Sequence, residues 1–127
     1  MLRLWLILSI SALAWPQQPA PQPQQPPLPP EEDETLKAPR DYVFNPLQAK
    51  NELRIGNYYY KKGSMRAAAL RFEEATRWDP TNAESFLRLG EARERMGDKK
   101  AAQAAYAKYV ELAPTAKDAA AIRKKLK

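Results

Sequence analysis

"GNYYYKKGSMRAAALRFEEATRWDP" (residues 56–80) and "GEARERMGDKKAAQAAYAKYVELAP" (residues 90–114) have the same length, open on Gly and close on Pro. Laid over each other at an offset of 34, Gly56 falls on Gly90, Gly63 on Gly97, Ala68 on Ala102, Phe72 on Tyr106 and Pro80 on Pro114. A fixed offset of this size marks a chain built from stacked copies of one small unit. A single copy cannot bury its own apolar face, so neighbouring copies share a core.

The unit is helical. Asn45-Pro46 offers an N-cap followed by Pro at the first helical position. Glu52, Ile55, Gly56 and Tyr59 then follow at i, i+3, i+4, i+7, one helix face. Lys62-Gly63 ends this helix, because Gly tolerates the left-handed conformation past a helix end. Ser64 is expected to cap a second helix that runs to about Trp78, with Ala68, Phe72 and Ala75 facing inward. Asp79-Pro80 breaks the chain. Thr81 to Glu84 reads as a capping box for a third helix ending at Gly97, and Asp98 caps a fourth that ends near Ala113-Pro114. Thr115 to Asp118 repeats the capping pattern ahead of a short fifth helix over about 116–126. The expected class is all-α. Gly56 and Ala68 stand where the two helices of one unit cross, and anything larger than a methyl there would push them apart. The aromatic at 72 or 106 fills the space beside them.

These residues resemble the tetratricopeptide repeat family. In the family register one repeat places Gly56, Tyr59, Ala68, Phe72, Ala75 and Pro80. A second places Phe86, Leu89, Gly90, Ala102, Tyr106 and Pro114, with Gly63 and Gly97 at the turns. The resemblance implies a short α-solenoid with repeats at residues 45–82 and 83–116 and a capping helix at 117–127. The second repeat departs from the pattern at Arg93 and Tyr109. Its last surface is therefore expected to meet a non-standard neighbour, the fifth helix, through Ala120 and Ile122.

The resemblance further implies a concave surface that binds another protein or a peptide. In the first repeat that surface would be Lys50, Leu53, Asn57, Tyr60 and Lys61; in the second it would be Glu84, Leu87, Glu91, Glu94 and Arg95. One end is basic and aromatic and the other mostly acidic, which suits a short polar peptide or a partner helix. Of the three consecutive tyrosines, Tyr59 is expected in the core and Tyr60 in the groove. Tyr58 is expected to pack against the incoming segment near Val43 or Phe44. The stretch 56–75 is also similar to the tetratricopeptide subunit of outer-membrane β-barrel assembly machinery, which implies a role in envelope assembly. That subunit is lipid-anchored through a cysteine, which this chain lacks.

The first 40 residues are of another kind. "MLRLWLILSISALA" has Arg3 ahead of an apolar run from Leu4 to Leu13, and Ala12-x-Ala14 fits a cleavage site. Residues 1–14 are therefore read as a signal peptide, which places the chain in the periplasm or cell envelope. An uncleaved membrane anchor is the alternative. Eight of the 12 prolines lie between Pro16 and Pro30, a polyproline-type spacer, and "EEDE" follows at residues 31–34. Residues 15–44 are expected to be a disordered linker.

Composition removes several functions. The chain has no Cys and no His, which excludes thiolate chemistry, imidazole bases and the usual zinc ligands. Glu73 and Glu74 are adjacent, but neighbours on a helix point in different directions, so they make a poor catalytic pair. Neither an enzyme nor a cofactor is expected. Residues 41–127 hold 18 Lys and Arg against 11 Asp and Glu, charges spread along helices rather than gathered into a nucleic-acid stripe. The rival to an interaction module is a structural spacer whose proline tract carries the function. A basic nucleic-acid-binding module stands behind both.

Overall fold

The computed structural model describes residues 19–21 and 26–127. The signal-peptide reading of residues 1–14 and about half of the Pro/Gln tract lie outside them. The described residues form a short 3-10 turn and five α-helices, α1 Pro46–Lys62, α2 Met65–Trp78, α3 Ala83–Arg95, α4 Lys99–Leu112 and α5 Ala119–Lys124. Helix α1 packs on α2, α3 on α4 and α2 on α3; α1 also touches α3, and α5 closes on α4. This is a short tetratricopeptide-type solenoid, with α1 and α3 side by side on one surface and α2 and α4 behind them.

Local chemistry sets the helix ends. The Asn45 side chain accepts from the Gln48 N–H at 3.0 Å, and Pro46 occupies the first turn. Gly63 and Gly97 have φ of 90° and 80°, the left-handed conformation that lets each first helix turn sharply into its second. The third helix starts differently from its sequence reading. Asn82, not Thr81, is its N-cap, accepting from the Ser85 N–H at 3.2 Å, while the Thr81 hydroxyl donates to Asp79 at 2.6 Å. Ser64 sits at the N-cap of α2 without making a side-chain cap bond. Its hydroxyl instead donates to Glu31 at 3.0 Å.

Two equivalent cores hold the repeats. Ala68, Phe72 and Ala75 are fully buried on the inner face of α2, with Ile55 and Tyr59 opposite them on α1. In the second repeat Ala102, Tyr106 and Tyr109 play the same part. A fully buried Phe contributes about 1.5–3 kcal/mol through the water it sheds. The helix crossings are as tight as the glycines suggest. A Cβ added at Gly56 would come within 2.5 Å of the Phe72 ring, and one at Gly90 within 2.5 Å of the Tyr106 ring.

The fifth helix is shorter than the 116–126 expected, and its buried residues are Ala119 and Ile122; Ala120 faces out. The carboxylate of Asp118 does not cap it. It accepts instead from the Tyr109 hydroxyl. That bond, helped by burial, pushes the Tyr109 phenol up to about 12. Tyr109 stands where the family usually has Ala, and its contact with Asp118 is what the departure achieves: it ties the last repeat to its cap.

The expectation of a disordered linker fails over its second half. Asp33 caps the 3-10 turn Glu34–Lys37 by accepting from the Thr35 N–H at 2.9 Å. The segment around this turn lies along the open side of the first repeat. Lys62 donates to Glu31 at 2.8 Å, Arg71 to Asp33 at 2.6 Å, and the Tyr42 hydroxyl to Glu74 at 2.8 Å. The Tyr42 ring meets Trp78 edge-on at 5.0 Å. The physical reason lies in Arg71 and Glu74, both buried on α2. Arg71 already pairs with Glu52 at 3.1 Å, and a buried guanidinium with donors to spare favours a second carboxylate. Asp33 supplies it.

Removal of residues 15–40 is therefore expected to lower the thermal midpoint by several degrees, since about 1 kcal/mol shifts a domain of this size by roughly 4–8 °C. The loss should depend on pH. The hydrogen bond from Thr35 and the Arg71 guanidinium hold the Asp33 carboxyl below its usual range. A carboxyl depressed by folding stabilises above its unfolded pKa, roughly pH 4, and stops doing so as pH falls through the folded value. Melts of the parent and shortened chains should thus converge below about pH 4 and differ most near neutrality. Identical midpoints at pH 7 would show that the segment contributes nothing.

Candidate functional site

Helices α1 and α3 present the surface on which the sequence placed its ten groove residues. The structure brings half of them together. Lys50, Leu53, Asn57 and Lys61 follow one another along α1 and, with Glu84 from the start of α3, line a hollow of about 510 Å3. Arg54, Tyr58 and Leu28 complete its wall. Leu53 is almost fully buried and forms the floor, where it also joins the first core. Lys50 and Lys61 are exposed and Asn57 is half-buried, so two cations and an amide stand around an apolar base, with the Glu84 carboxylate across from them.

The other five are placed elsewhere. Tyr60 is half-buried against the first core, its ring 6.5 Å from that of Phe72, and the Arg95 guanidinium lies over its other side at 5.2 Å. Tyr60 and Arg95 thus bind each other across the repeat junction, a cation–π contact rather than a pair of free ligand contacts. Leu87 packs on the second core. Arg88 donates to Glu91 at 3.0 Å. Glu94 points toward α4 and the C-terminus, where Lys125 and the Tyr106 hydroxyl donate to it at 2.7 and 2.6 Å. Lys125, then Tyr106, hold the Glu94 carboxyl low, while burial, then Glu94, pushes the Tyr106 phenol up.

Tyr59 and Tyr58 also differ from the sequence reading. Tyr59 is in the core at 4 % exposure, as expected, but its hydroxyl reaches out and donates to the carbonyl of Pro29. Tyr58 stays half exposed, edge-on to Tyr59 at 5.2 Å, and faces the hollow. Val43 and Phe44, its expected partners, are exposed. The residue that sequence reasoning missed is Leu28. In a run of Pro and Gln it was the only large apolar side chain, and that isolation was the available signal.

Among the described residues, no cluster of acidic side chains is arranged to hold a metal ion, and no helix is long and apolar enough to cross a membrane.

Residues 83–115, which include α3 and α4, match the family model of the tetratricopeptide repeat. The chain carries a tetratricopeptide repeat. Residues 49–82 show the same glycine, alanine, aromatic and proline positions 34 residues earlier, and their two helices pack the same way. Tetratricopeptide repeats serve generally as protein-binding scaffolds and are typically non-catalytic. A search among curated proteins found no match.

Proposed function

We propose that the protein is an exported interaction module that binds a partner protein through the hollow on α1, and that it is not an enzyme. The observation that carries this reading is the grouping of Lys50, Asn57 and Lys61 around the Leu53 floor, with Glu84 opposite. An apolar base ringed by a few polar groups is the usual make-up of a peptide-binding site: the base supplies affinity and the rim sets orientation. The signal-like N-terminus supports an envelope location, and the likeness of residues 56–75 to an outer-membrane assembly subunit supports an assembly role. Charges paired along the helices, such as Arg88 with Glu91 and Arg93 with Glu73, favour a protein partner over nucleic acid.

Asn57→Ala combined with Lys61→Glu removes one hydrogen-bonding group and reverses one charge without touching the core. This variant should capture its partner from envelope extract about 10-fold less efficiently than the parent, the equivalent of about 1.4 kcal/mol, at an unchanged thermal midpoint. Capture equal to the parent's would remove the hollow from consideration and favour the proline tract as the functional surface.

A further inference from the structure

The chain's own residues 28–33 already occupy one end of the hollow and the ridge beside it. Leu28 lines the hollow yet remains 37 % exposed, so it fills only part of the space. Pro29 offers its carbonyl to Tyr59, Glu31 accepts from Lys62 and Ser64, and Asp33 accepts from Arg71. The four contacts follow one another along the segment, which bends at Glu31 and Glu32: an apolar anchor, a carbonyl acceptor and two carboxylates, each met by a matching group on α1 or α2. Proline suits the positions after the anchor. It has no N–H to satisfy, and its restricted backbone loses little freedom on docking.

We infer that residues 28–33 are a tethered copy of the ligand this surface recognises: a peptide of the form leucine, proline, proline, then acidic residues. A partner presenting such a segment docks by displacing them. The inference rests on the groove reading above and gives its ligand a chemical class. Tethering supplies the internal segment at a high effective concentration, so an external segment of equal strength binds poorly until the internal one is weakened.

The test uses the full chain and a fluorescent peptide, PPLPPEEDET, copied from residues 26–35. Leu28→Gly with Glu31→Gly weakens the internal segment and leaves α1 and α2 intact. Anisotropy should show the peptide binding this variant at least 10-fold more tightly than the parent. Adding Lys62→Glu to the variant should reverse the gain, and a peptide whose Glu31 is replaced by Lys should restore it. Equal binding to parent and variant, or binding indifferent to Lys62→Glu, overturns the inference. The peptide's binding is read apart from partner capture. Peptide failure with partner capture still lost in the Asn57 and Lys61 variant overturns this inference alone. Peptide success with capture unaffected in that variant overturns the groove reading.

Discussion

Gly56→Leu abolishes the cooperative melting transition. The new side chain would have to begin where the Phe72 ring stands, 2.5 Å from an added Cβ. Phe72 is fully buried, with Ala68 and Ala75 on its own helix and Ile55 and Tyr59 on the other, so the ring cannot move aside. The helices must separate instead. Overpacking of a tight core costs about 1–3 kcal/mol. Here it opens the crossing of one of the two repeats among the described residues, whose total margin should lie at the low end of the usual 5–15 kcal/mol. The α2–α3 contact joins the repeats, so the second loses its neighbour when the first opens. Circular dichroism and a thermal melt measure this. An unchanged helical signal and midpoint would mean that α1 and α2 do not cross at Gly56.

Tyr59→Ala is expected to destabilise by roughly 3 kcal/mol, through the cavity left in the first core. It also removes the hydroxyl that holds the Pro29 carbonyl, so the segment before α1 should loosen with it. Tyr60→Ala is the informative comparison. Its ring is half-buried between Phe72 and Arg95, and its loss should cost roughly 1 kcal/mol, nearer to that of a cation–π contact than to that of a core cavity. Melting curves of the two variants rank them. A Tyr60 variant less stable than the Tyr59 variant would reverse the assignment of core and junction.

The solenoid was legible because its signals are local. Gly56 and Gly90 mark crossings, Gly63 and Gly97 need a left-handed backbone, and Asn45-Pro46 starts a helix; each can be read within one turn of chain. The caps were less secure where several polar residues stand together. Thr81, Asn82 and Glu84 allow two capping schemes, and the hydrogen bond from Thr81 to Asp79 selects Asn82.

The N-terminal segment was illegible for the opposite reason. "EEDE" looks solvated when read alone, because its partners Lys62 and Arg71 lie 31 and 38 positions away. Its attachment is decided by the burial of Arg71, which the repeat pattern does not reveal. The groove was half legible. Family positions brought Lys50, Leu53, Asn57 and Lys61 onto one helix face, but they could not show that Arg95 would cover Tyr60 or that Lys125 would draw Glu94 to the other side.

Site-specific crosslinking tests the central claim, that the partner sits against α1 in the hollow, most directly. A photoreactive amino acid placed at Asn57, inside the hollow, should form an adduct with the partner in envelope extract. The same group at Ala107, exposed on α4 behind the groove, should form none. An adduct at residue 107 and none at residue 57 would contradict the account and place the partner on the opposite surface.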